Sequence, residues 1–149
     1  MPIWCVVILF EYKIMVQITT TVKASLERVW QHLILKIEKP ENFVPGVSDV
    51  LILEKNDDFV TRKMTITTPE SVTTLVEKIT FILYKVRFLL IEHPKFEGYV
   101  DNDIKFISEN ETEMTFTINW KEKITLSEFN NQEMVKAAVL KTKTYIEEN

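Results

Sequence analysis

Two charges interrupt the apolar faces of neighbouring segments, and their positions match. In the first segment Val60, Met64 and Ile66 alternate on one face, and Arg62 breaks the series. In the second, Leu75, Ile79 and Phe81 share a face that Glu77 breaks. Centring the connecting turn on Pro69-Glu70 sets Met64 opposite Leu75, Val60 opposite Ile79, and Arg62 opposite Glu77. A charge on an apolar face is costly unless it is partnered, and here each residue supplies the other's partner. Asn102, between Val100 and Ile104, is a third inward polar residue, two strands from Glu77. Asp49, between Val47 and Leu51, is a fourth candidate. Tyr84 and Trp120 fall on the same face.

Two readings of the Arg62–Glu77 pair stay open. It is a structural ion pair that fixes register, or it lines a cavity and orients a carbonyl, hydroxyl or carboxylate. A ligand site of this kind has mostly apolar walls with a few convergent polar groups.

The elements around these residues follow from periodicity. Between Glu11 and Val22 the residues Tyr12, Ile14, Val16, Ile18 and Val22 alternate with mostly polar ones, which predicts a half-buried strand. Ser25 is an N-cap candidate, with Glu27 in the first turn of the helix it starts. Leu26, Val29, Trp30, Leu33 and Ile37 then form one helical stripe, which Pro40 ends. One turn closing at Pro45-Gly46 redirects the chain. Strands are predicted near Val47–Lys55, Phe59–Thr68, Val72–Phe81, Tyr84–Glu92, Glu97–Ile107 and Glu113–Ile124. The turn near Ile82-Leu83 carries none of the usual turn residues. A final helix runs from about Glu128 to Ile146, with Phe129, Val135, Ala138, Val139, Thr142 and Ile146 on one face.

This order predicts an α+β domain of consecutive antiparallel strands. Carrying the register onward sets Leu90 opposite Val100, Val100 opposite Trp120, Ile104 opposite Phe116, and Phe106 opposite Met114. Only two glycines, Gly46 and Gly98, serve so many strands, so any bulges fall mainly to other residues.

Composition narrows the function. The chain has 149 residues, 46% hydrophobic and 27% charged, with a net charge of −4, enough for one domain with a real core spanning 1–149. Its Lys and Arg are scattered, so no basic face for nucleic acid is present. Cys5 is the sole cysteine, which excludes an internal disulfide and fits a reducing, cytoplasmic setting. With His32 and His93 the only histidines, a structural zinc site is not expected. His93, before Pro94, is read as an exposed loop residue, and His32, off the helical stripe, as solvated. No Ser-His-Asp set, metal spacing or glycine-rich phosphate loop occurs, so no cofactor is expected. The apolar start, MPIWCVVILF, is too short to span a bilayer and lacks the marks of a secretory signal. Residues 1–14 are read as an N-terminal extension, with Met15 an alternative start.

The segment Val29-Trp30, Leu33, Lys36 and Pro40-Glu41-Asn42-Phe43-Val44-Pro45-Gly46-Val47-Ser48-Asp49 resembles the AtaL-like family of the SRPBCC superfamily. Arg62 before Met64, Val76-Glu77, and Gly98 through Asn102 extend the likeness, which covers most of the chain from Met15. That superfamily includes START lipid-transfer domains, the birch-pollen allergen and polyketide cyclases. The resemblance implies a helix-grip fold: a curved seven-stranded antiparallel sheet around a long C-terminal helix, with an internal hydrophobic cavity. It also implies a lipid, sterol, polyketide or similar apolar metabolite as partner, and it transfers no catalytic residue.

Three functions fit. The first is binding or carrying of a small apolar ligand, with Arg62, Glu77, Asn102, Tyr84, Trp120 and Asp49 as site candidates and no integral membrane insertion. The second is a cyclase, aromatase or hydrolase with Glu77 as base and Arg62 or Asn102 stabilising an enolate-like oxygen. Against it, a carboxylate held by a guanidinium is a weak base near neutral pH. The third is a protein-interaction module, which requires an exposed apolar patch rather than a cavity.

Overall fold

The computed structural model describes residues 15–127 and 129–149. The N-terminal extension, the Met15 alternative start and the predicted strand residues before Met15 therefore concern positions outside the described residues, as does Glu128. The elements are β1 (Val16–Val22), α1 (Leu26–Glu38), a short 3-10 turn (Pro40–Asn42), β2 (Val47–Lys55), β3 (Val60–Thr67), β4 (Val72–Ile82), β5 (Lys85–Glu92), β6 (Phe96–Ser108), β7 (Glu111–Glu122) and α2 (Gln132–Glu148). All seven strands form one antiparallel sheet in the order β1-β7-β6-β5-β4-β3-β2.

That order leaves β1 and β2 at opposite edges. The chain between them must cross the sheet, and α1 makes the crossing against β6 and β7. The Ser25 Oγ accepts from Arg28 N at 3.2 Å and opens the helix. Val29, Leu33, Lys36 and Ile37 are its buried residues, a stripe at three-and-four spacing that faces the sheet. The 3-10 turn follows, and Gly46 then swings the chain into β2 with φ 77°. A Cβ there would lie 2.2 Å from Thr67 O, so side chain and conformation both exclude other residues.

The β3–β4 register is the predicted one, with Val60 opposite Ile79, Arg62 opposite Glu77 and Met64 opposite Leu75. Farther along, the pairing differs by two residues. Phe88 rather than Leu90 meets Val100, Ile118 rather than Trp120 meets Val100, Met114 meets Ile104, and Thr112 meets Phe106. In the β5–β6 turn the His93 ring accepts from the amides of Lys95 and Phe96, which draws the turn centre back. At the β6–β7 turn an irregularity between Phe106 and Ser108 has the same effect. Because side chains alternate with period two, a two-residue shift preserves every face. The inner-face assignment survives for that reason. Leu51 on β2, Phe81 near the end of β4 and Phe106 near the end of β6 are exceptions, all three exposed.

The last helix begins at Gln132, where Asn131 Oδ1 accepts from Met134 N at 3.1 Å. Val135, Val139, Thr142 and Ile146 are buried along its length as it packs beside β1. It is pinned to the crossing segment as well. Thr142 Oγ1 donates to Phe43 O at 3.0 Å, and Arg28 Nη2 donates to Ile146 O at 2.8 Å. Among the described residues, no helix is long and apolar enough to cross a membrane.

Candidate functional site: a charged end to an apolar cavity

A cavity of about 250 Å³ lies between the sheet and α2. Met64, Leu75, Phe88, Val100, Phe116, Ile118 and Trp120 wall it from the sheet. From α2 it is bounded by Met134, Val135, Ala137 and Ala138, and the two alanines leave the room that larger side chains would fill. Val44, Pro45, Ile66 and the β3–β4 turn at Thr67–Pro69 complete the lining. Three charged residues line it: Lys36, Arg62 and Glu77.

Arg62 is 2% exposed, and its guanidinium joins the sheet to α1. Nη2 donates to Glu77 Oε1 at 2.7 Å, the cross-strand pair expected from the register. Nη1 donates to the carbonyls of Lys36 and Ile37 at 3.0 and 2.8 Å. Those are orphan carbonyls at the negative end of a helix, so a cation there is favoured.

Lys36 is the residue that sequence reasoning missed as a site group. Its Nζ donates to Asn102 Oδ1 at 2.5 Å and lies 4.2 Å from the Phe116 ring centre and 5.1 Å from that of Phe88. Burial first, and then the neighbouring Arg62 charge, lower its pKa to about 7, against a smaller upward pull from Glu77. A signal for it existed. Lys36 is seven residues after Val29 and three after Leu33, on the buried stripe itself. A lysine in the last turn of a helix is more often solvated, which hides that signal.

The remaining candidates divide. Trp120 is buried and lines the cavity. Asn102, fully buried, stands behind Lys36 as its acceptor. Tyr84 does not line the cavity; it occupies the β4–β5 turn with φ 71°, its ring edge-on to Trp30 at 5.8 Å. Asp49 is not an inward polar group. It is exposed, with φ 52°, where the β2–β3 register shifts between Ser48 and Leu51, and that irregularity turns it away from the interior. His32 is half-buried rather than solvated, edge-on to Phe43 and Tyr145, and His93 is half-buried rather than exposed, its ring against Phe96 and Trp120.

The architecture and its cavity define a helix-grip fold. The structure is similar to a START superfamily protein from Mycobacterium smegmatis, with TM-score 0.71 at 13% identity over 91% of this chain and 95% of that one. It is similar also to the Zhui aromatase/cyclase from Streptomyces sp. R1128, with TM-score 0.68 at 16% identity over 90% and 88% of the two chains. Ara h 8.0201 matches with TM-score 0.65 at 10% identity over 91% and 98%. At such identities the likeness is one of fold. No curated protein matches the sequence. The family model described as acetylaranotin biosynthesis cluster protein L, AtaL, matches residues 16–148, and the chain belongs to that family.

Proposed function

We propose that this protein binds and carries a small hydrophobic metabolite in the cavity between sheet and C-terminal helix. The observation that carries the reading is the cavity itself: mostly apolar walls from sheet and helix, with charge confined to Lys36, Arg62 and Glu77. Its volume of about 250 Å³ is just below the roughly 300–1,000 Å³ usual for small-molecule sites, which favours a short chain or a small ring system. The family's description refers to a biosynthetic cluster, which supports a metabolite as occupant. The sole cysteine, Cys5, supports a cytoplasmic setting.

Native mass spectrometry of the purified protein, followed by denaturing extraction, tests this proposal. A released apolar molecule at near one-to-one stoichiometry is the expected result. Failure of the empty protein to take up any of a panel of apolar metabolites overturns it.

A second reading, an enzyme of cyclase or aromatase type, is favoured by Lys36, an amine that changes protonation near neutral pH inside the cavity. Glu77 is the weaker candidate for the base, because Arg62 already occupies its Oε1. Turnover of the extracted molecule that is lost in K36M and kept in E77Q supports this reading. Turnover unaffected by K36M removes Lys36 from the chemistry, and absence of any turnover dismisses the reading.

A further inference from the structure

The charged end of the cavity holds two cations and one carboxylate. Glu77 is committed to Arg62, and among the described residues Lys36 has only a neutral hydrogen-bond partner, Asn102. When Lys36 carries its proton, one positive charge is left without a counter-charge on a buried side chain. The hydrogen-bond inventory is lopsided in the same direction. Arg62 has five N–H donors, of which three are engaged, and its buried Nε is without a partner. Lys36 has three, of which one is engaged. Trp120, which also lines the cavity, leaves its buried Nε1 unpartnered.

Among the described residues, four buried side-chain atoms lack a partner, and three of them are donors: Arg62 Nε, Asn102 Nδ2 and Trp120 Nε1. Of these residues Arg62 and Trp120 line the cavity, whereas Asn102 and Asn119, which carries the fourth atom (Oδ1), do not. The charged end, with the unengaged N–H groups of Arg62 and Lys36 and surplus positive charge, is complementary to an acceptor bearing one negative charge.

We propose that the ligand is an apolar carboxylic acid, bound as its monoanion with the carboxylate against Lys36 and Arg62 and its hydrocarbon part between the sheet and α2. The inference rests on reading the cavity as a hydrophobic ligand site, and it names the class of ligand. An alcohol or ketone of the same shape leaves the surplus charge unneutralised. A phosphate dianion exceeds it.

The proposal carries its own pH dependence. Lys36 faces Arg62 on β3 and Glu77 on β4. From β5, β6 and β7 it meets Phe88, Asn102 and Phe116, which are uncharged, and the lining residues of α2 are apolar. In the free protein Lys36 loses its proton near pH 7. Affinity for a carboxylate is therefore greatest below that pH, provided the acid is ionised, and falls above it, where binding must take up a proton.

The test is calorimetric titration with matched probes: octanoic acid against 1-octanol, and 2-naphthylacetic acid against 2-(2-naphthyl)ethanol. The acids are expected to bind about tenfold to a hundredfold more tightly than the alcohols near pH 6. That preference shrinks as pH rises toward about 9, and K36M diminishes it. Alcohols that bind as well as acids overturn this inference and leave the carrier reading standing. Binding of neither class overturns the carrier reading and this inference with it. An acid preference that is independent of pH and unchanged in K36M removes Lys36 from the account.

Discussion

Arg62 donates through Nη1 to the backbone carbonyl of Lys36, at 3.0 Å, while the Lys36 amine reaches on to Asn102. One helix end thus fixes two cations at the charged end of the cavity. The arrangement is tolerable because Arg62 is shared between Glu77 and the helix carbonyls, whereas Lys36 meets desolvation by losing its proton more readily. Its chemistry near neutral pH is therefore a consequence of where α1 ends.

The stability of the protein should reflect that protonation. The folded pKa of Lys36, about 7, lies below its ordinary value of 10.5, so the unfolded chain binds the extra proton between these values. Stability from this group rises with pH across that window, and its full penalty is present below about pH 7. Compared with K36M in urea unfolding, the wild-type protein should gain on the order of 2 kcal/mol between about pH 7 and pH 9. Parallel curves for the two proteins would show that Lys36 is not held in this way.

Breaking the Arg62–Glu77 pair from either side should be costly. R62M strands a buried carboxylate and E77L a buried guanidinium, each expected to cost roughly 3–5 kcal/mol. The double variant should lose much less than the sum of the two, because apolar pairs of similar volume replace buried ion pairs well. Chemical denaturation of the four proteins measures the coupling, and additive losses would mean the pair does not interact as described.

Much of this site was legible in the sequence and part of it was not. Arg62 and Glu77 could be matched because strand side chains alternate strictly and one short turn joins β3 to β4. The later strands kept their faces but not their partners, since the His93 interactions and the irregularity after Phe106 changed the turn centres without a periodic trace. Asp49 looked inward by alternation and was exposed where the register shifts, a local event that residue type does not announce. Lys36 lay on the buried stripe, yet its burial depends on where α1 rests across β6 and β7, which is tertiary information.

Gly98 tests the close packing of β6 on β7. It has φ 122°, and an added Cβ would fall 2.0 Å from Asn119 O, beside the cavity residue Trp120. G98A is expected to cost at least about 2–3 kcal/mol, from backbone strain and the clash together. Thermal unfolding measures it, and a variant as stable as the wild type would contradict the described pairing.

His93 offers a local check by NMR. Its Nδ1 accepts from two amides, and burial followed by the nearby Lys123 charge lowers its pKa from 6.5. The ring should therefore titrate below that value and stay neutral at Nδ1 near neutral pH. Since the folded state favours the neutral ring, its contribution to stability declines as pH falls through the unfolded value of about 6.5. A ring that titrates above 6.5 would contradict the turn geometry.

The most direct test of ligand binding inside the molecule is a methyl-resolved NMR titration with a panel of small apolar metabolites, acids and neutral compounds together. The account predicts that at least one compound shifts the methyl signals of Met64, Leu75, Ile118 and Met134, which line the cavity, and leaves those of the exposed Leu53 and Leu140 in place. Shifts confined to the exposed residues, or none across the panel, would contradict it.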